Sequence, residues 1–154
     1  MVTFKKEGYT PLAVREDADG KLWVKAKARG DIDIKEPAVI TGETCGWGSH
    51  TISLATATSA WVYIGFALAT QSTGDYAWYQ VGGYCSNCLY DGSVSSSAGI
   101  GVAWASASIA SHGSAASSSL AMGRGIFGMT DTNDEATTNH DIFLFGQMVV
   151  NSGA

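Results

Sequence analysis

Between Lys21 and Ala28 the chain alternates lysine with apolar residues, Lys21-Leu22-Trp23-Val24-Lys25-Ala26-Lys27-Ala28. Such a period of two fits a strand with one wet and one dry face and does not fit a helix. Asp19-Gly20 just before it is a hairpin turn signal. The same texture continues along the chain. Residues 37–40, 51–55, 61–69, 76–81, 100–105, 120–129 and 142–150 read as further strands, separated by turn-rich pieces at 72–75, 91–93, 111–114 and 130–139. The one helical candidate, 115–120, is rich in Ser and reads better as a loop or single turn. Short strands spaced about ten residues apart predict an all-β fold, a single-domain β-sandwich or barrel. At 154 residues, the chain is long enough for one domain that needs neither metal nor disulfide to hold it.

Composition narrows the class. With 45% hydrophobic and 10% aromatic residues the chain is too apolar to be disordered. Its longest strongly apolar run, Trp61 to Ala69, is far too short for a membrane helix. Residues 1–6, Met1-Val2-Thr3-Phe4-Lys5-Lys6, are not followed by the apolar run of a secretion signal. Charge is unevenly spread. Eight of the nine bases lie in residues 1–35 beside six acids, whereas residues 36–154 hold only Arg124 against eight acids and all 17 serines. That contrast divides the chain into a basic N-terminal arm or hairpin, 1–35, and a charge-poor oligomerising body, 36–154. An acidic body argues against nucleic acid as a partner, which requires clustered Lys and Arg. A surface this poor in charge points instead to cover by other protein subunits.

Ile64-Gly65-Phe66-Ala67-Leu68-Ala69-Thr70 is echoed 36 positions later by Ile100-Gly101-Val102-Ala103-Trp104-Ala105-Ser106. The Gly after Ile predicts a strand packed closely on a neighbouring backbone, and the echo predicts equivalent strands in two halves of the fold.

Candidate chemistry is sparse. Cys85-Ser86-Asn87-Cys88 has the spacing of half a zinc site or a redox pair. No second CxxC or HxxxH accompanies it, and a redox CxxC usually opens a helix. The motif is therefore read as two thiols at a strand turn. Arg29-Gly30-Asp31 spells an adhesion tripeptide but reads as an ordinary charged turn. Asp131-Thr132-Asn133-Asp134-Glu135 with Asp141 lacks the Gly and closing Glu of a calcium loop and reads as a solvated loop. His50, His112 and His140 lie apart in polar segments, and no nucleophile-elbow, metalloprotease or phosphate-loop motif is present. No enzyme activity, metal or cofactor is expected. In Tyr76-Ala77-Trp78-Tyr79-Gln80, residues Tyr76, Trp78 and Gln80 share one strand face. Trp78 reads as core or subunit interface, and Trp47 sits in a displayable Gly46-Trp47-Gly48 loop.

Several of these strings occur in a familiar order. Ala28-Arg29-Gly30-Asp31-Ile32 leads to Glu36-Pro37-Ala38-Val39, then Ile64 to Ala69, Thr73-Gly74-Asp75, Trp78-Tyr79-Gln80-Val81-Gly82-Gly83 and Asp91-Gly92-Ser93-Val94, with a late Gly123-Arg124-Gly125. The series, over about residues 28–150, resembles the capsid decoration or cement proteins of tailed bacteriophages. The Ser/Ala-rich stretch 93–119 and the CxxC depart from that group. The resemblance implies a β-rich, often trimeric protein on the capsid exterior that clamps neighbouring major capsid proteins. Lys5, Lys6, Arg15, Lys25, Lys27, Arg29, Trp47, Trp78 and Arg124 are the expected capsid or subunit contacts. The alternatives are a fibre, tail or host-adsorption component, or a carbohydrate-binding β-sandwich using Trp47, Trp78 and nearby tyrosines.

Overall fold

A computed structural model of the chain describes residues 13–41, 44–46, 60–89, 101–106, 109–112, 126–130, 139–147 and 149–151. Every regular element among them is a strand: β1 Ala13–Glu16, β2 Leu22–Ala28, β3 Pro37–Thr41, β4 Thr44–Gly46, β5 Ala60–Ala67, β6 Tyr76–Leu89, β7 Gly101–Ser106, β8 Ile109–His112, β9 Ile126–Thr130, β10 Asn139–Phe145 and β11 Val149–Asn151. The all-β expectation holds. The strand expected over 51–55 and the helical candidate 115–120 lie outside the described residues.

Five of the strands close on themselves. β2 runs antiparallel to β6, from Trp23 opposite Gln80 to Lys27 opposite Tyr76. β6 pairs β5 through Gln80 with Phe66 and Tyr79 with Ala67. β5 pairs β3 from Tyr63 opposite Ile40 to Phe66 opposite Pro37. β3 pairs β4 through Ile40 and Cys45. β4 then returns to β2 as its parallel neighbour, Lys27 with Thr44 and Ala28 with Cys45. Of the two predicted architectures, this ring is the barrel, and closure leaves its members no free edge.

Alternation fills the barrel. Val24, Ala26 and Ala28 of β2, Tyr79 and Val81 of β6, Tyr63 and Ala67 of β5, Ala38 and Ile40 of β3 and Cys45 of β4 form one buried cluster with Val14 and Ile32. Tyr79 is the bulkiest fully buried side chain among the described residues. Gly65 makes room for it: a Cβ there would lie 3.0 Å from Tyr79 Cβ and 3.2 Å from the Gln80 carbonyl oxygen, the close approach that the Ile-Gly string predicts. Inside, Cys45 donates its thiol hydrogen to the Lys27 carbonyl at 3.7 Å. Among the described residues, none gives the buried Tyr79 hydroxyl a hydrogen bond. Burial pushes the Cys45 thiol up to about 11, and burial, then Cys45, pushes the Tyr79 phenol higher than its ordinary range.

The described part of the basic segment, residues 13–35, packs into this barrel. β1 and β2 form the predicted hairpin, Ala13 to Glu16 opposite Lys25 to Leu22. Gly20 takes φ 81° in its turn, and Lys21 grips Asp19 at 2.9 Å. Val14, Val24, Ala26 and Ala28 then share one core with β3 to β6. Residues 13–35 are therefore no detached arm, and the boundary at 35/36 separates no two bodies among the described residues.

Beyond Gly82, β6 leaves the ring. Gly83 adopts φ 81°, and a Cβ there would sit 3.2 Å from the Gly20 carbonyl oxygen, so the hairpin turn rests against this bend. The buried Gln80 amide clasps the bend by donating to the carbonyls of Gly82 at 3.1 Å and Tyr84 at 2.8 Å. The rest of β6 carries an antiparallel wing ordered β6-β10-β9-β7-β8, while β11 pairs β5. The echo strands are thus not equivalent: β5 is a ring member and β7 belongs to the wing.

Two outcomes are expected. Gly65→Ala lowers stability by about 1–3 kcal/mol, read as an earlier urea midpoint, because the added methyl overpacks against Tyr79 and Val81. Cys45 holds its proton more tightly folded than unfolded, so the native state carries more protons between about pH 9 and 11. Stability therefore falls as pH rises through that window, and thermal melts of Cys45→Ala show a shallower fall.

Candidate functional site: a cation–aromatic face on the barrel

The wet face of β2 continues the pattern that defines the strand. Trp23, Lys25 and Lys27 point away from the core whose other face holds Val24, Ala26 and Ala28. Register with β6 sets Trp78 opposite Lys25 and Tyr76 opposite Lys27, and β1 sets Arg15 opposite Trp23. Four cation–ring contacts result. The Arg15 guanidinium lies 4.7 Å from the Trp78 ring centre and 5.2 Å from that of Trp23. Lys25 Nζ lies 6.0 Å from Trp78, and Lys27 Nζ 5.7 Å from Tyr76.

The rings bind the cations through their electron-rich faces, and the cations shield the rings from water. Trp23 is buried, its indole N–H donating to Asp17 Oδ2 at 2.7 Å. Asp17 also lies 3.6 Å from Arg15 Nε, so one carboxylate orients both the ring and the guanidinium above it. Tyr76, by contrast, is 56% exposed, and Trp78 is half-buried. The face is a cationic platform with accessible aromatic surface.

Of the nine expected contacts, Arg15, Lys25, Lys27 and Trp78 come together here. Trp78 is not a core residue: its place opposite Lys25 puts it outside the barrel. Arg29 lies exposed just past the end of β2. Lys5, Lys6, Trp47 and Arg124 lie outside the described residues. Trp23 and Tyr76 complete the platform, and for Trp23 the signal is its parity with Lys25 and Lys27. The adhesion tripeptide is a braced turn, with Gly30 buried and Asp31 accepting from the Thr73 N–H at 2.9 Å and its hydroxyl at 3.0 Å.

The wing has a different surface. Tyr84, Phe143 and Met129 lie directly abreast across β6, β10 and β9, and all three are exposed, with Phe145 exposed two residues on. Cys85, Ile142 and Leu144 are buried on the other side of the same strands. Asp141 is a bracing group, accepting from the Tyr84 hydroxyl at 2.5 Å and the Asn87 N–H at 2.9 Å. No cluster of three or more His, Cys, Asp or Glu arranged for a metal occurs among the described residues. No family model, curated protein or solved structure matches the chain.

Arg15→Ala uncovers the Trp78 ring at a cost below about 1 kcal/mol, since the pair is partly solvated. The expected result is stronger iodide quenching of tryptophan fluorescence with a nearly unchanged melting temperature. Unchanged quenching would show that Arg15 does not shield the ring.

Proposed function

We propose that the protein is a virion structural protein, a decoration or cement protein on the exterior of a tailed-phage capsid, which grips major capsid proteins through the barrel's cation–aromatic face. The single observation that carries this reading is the Arg15–Trp23–Lys25–Trp78–Lys27–Tyr76 platform. Trp, Tyr and Arg are the residue types on which protein interfaces concentrate their energy. Their interleaving with lysines suits an acidic, hydrogen-bonding protein surface better than an apolar pocket. The order of strings in the sequence supports the same class. Cementing needs no chemistry. Occupying several neighbouring capsid subunits stabilises their assembled state by mass action and multivalency.

The exposed Tyr84–Phe143–Met129 row supports the second half of the reading, self-association into a closed homo-oligomer, with a trimer proposed. The Tyr76–Trp78 pair is also the kind of surface on which a sugar stacks, so a carbohydrate-binding role is the competing reading.

The test is co-sedimentation of the full chain with heads of the phage that carries it, beside light scattering of the free protein. Binding is expected to weaken with added salt. Lys25→Glu with Lys27→Glu is expected to lower occupancy at least about tenfold while the melting temperature holds. Phe143→Glu is expected to reduce a solution mass near three times 16.0 kDa to that of the single chain. Undiminished pelleting by the double variant would overturn the platform's role. Glycan-array binding without head binding would favour the sugar reading.

A further inference from the structure

The CxxC lies within a strand, where residues three apart ordinarily face opposite sides. Here they do not. Cys85 stands opposite Ile142 and Cys88 opposite His140, so three steps of β6 span two of β10. The extra residue is a β-bulge, with Asn87 at φ 54° and its N–H held by Asp141. The bulge turns both thiols to the buried side, where Cys85 and Cys88 are 1% and 0% exposed. Cys88 Sγ donates to the Cys85 carbonyl at 3.5 Å.

A cation completes the arrangement. Lys35, half-buried, directs Nζ at Cys85 Sγ across 3.6 Å. Its backbone takes φ 64°, and its N–H is fixed to the Ala67 carbonyl at 2.9 Å. A non-glycine residue in the left-handed region is uncommon, so the turn holds this lysine at some conformational cost.

We propose that Cys85, Cys88 and Lys35 form a thiol–disulfide exchange site, in which Cys85 is the attacking sulfur, Cys88 the resolving sulfur and Lys35 the cation that stabilises the attacking thiolate. The two thiols have the unequal character this division requires. The Cys88 thiol beside it, then Lys35 and Lys21, hold Cys85 below the ordinary thiol range, while burial, then Cys85, raises Cys88. The co-reactant is a low-molecular-weight disulfide such as oxidised glutathione. Both sulfurs are covered in the closed strand pair, so exchange goes through local opening of the wing at the bulge, where the Cys85 thiolate attacks one sulfur of the reagent, breaking that S–S bond and releasing one thiol. Cys88 sulfur then attacks Cys85 sulfur and displaces the second. Two electrons pass from the cysteine pair to the reagent, and the two cysteine protons leave on the two released thiols. The third cysteine stays out: Cys45 lies in the barrel core, bonded to the Lys27 carbonyl.

This inference stands apart from the capsid reading, because its readout needs no partner. The full chain is equilibrated under native conditions in buffers of graded reduced and oxidised glutathione, quenched with acid, alkylated and weighed. The expected result is a mass loss of about 2 Da before alkylation, with one alkylatable thiol left, Cys45, and a peptide link mapped to Cys85 and Cys88. Cys88→Ser is expected to stop at a glutathione adduct on Cys85. Lys35→Met is expected to close the bond about tenfold more slowly at neutral pH, the result of a smaller thiolate fraction. Three free thiols in the native protein, in a buffer that oxidises the urea-unfolded chain, would overturn the proposal. So would a link to Cys45. Wild-type kinetics in Lys35→Met would remove Lys35 from the site.

Discussion

The short parallel contact between β2 and β4 is the constraint on which the rest of the molecule depends. Among the described residues its register pairs are Lys27 with Thr44 and Ala28 with Cys45, and these turn an open antiparallel sheet into a ring. Once the ring closes, the inward residues of five strands must share one small interior, and their sizes become mutually dependent. Gly65 is small because Tyr79 is large. Ala26, Ala28, Ala38 and Ala67 leave room for Tyr63, Ile40 and Ile32. Among the described residues, the Tyr79 hydroxyl beside Cys45 is the buried side-chain polar atom left without a hydrogen-bond partner.

Closure also creates the outer platform. A strand whose even positions are committed to the core must present its odd positions outward, so Trp23, Lys25 and Lys27 acquire their common direction from Val24, Ala26 and Ala28. The neighbours of β2 then decide what the lysines meet. Antiparallel β6 supplies Trp78 and Tyr76, and β1 brings Arg15 over both tryptophans. The charge-rich N-terminal segment and the charge-poor remainder thus meet along β2, through β6 and β4, and on the β6 side the aromatic rings of one lie beneath the cations of the other.

Local pattern in the sequence reaches as far as elements and faces. Period-two alternation marks β2, and apolar runs mark β3, β5 and the first half of β6. The second half of β6 is hidden because Ser86-Asn87 reads as a turn, whereas it is a bulge inside a continuing strand. β1 and β4 are too short to show a period. Ring closure, the inclusion of the basic hairpin in the core and the outward place of Trp78 all follow from register between distant strands, which no window of local sequence contains. The same holds for the thiol pair. Lys35 and Cys85 lie fifty residues apart and meet because Lys35 is anchored to the end of β5 through the Ala67 carbonyl.

One further property follows from β6 running unbroken from barrel to wing. Trp78 and Tyr84 are six positions apart on that strand, so the cationic platform and the apolar row are separated along it by at most about 20 Å. The Gln80 clasp and the braced Gly83 bend fix the angle between them. Under the proposed reading, the protein acts as a gauge. A surface that engages both faces must offer its own two patches at that offset and inclination, so recognition extends from the chemistry of each patch to the curvature of what carries them.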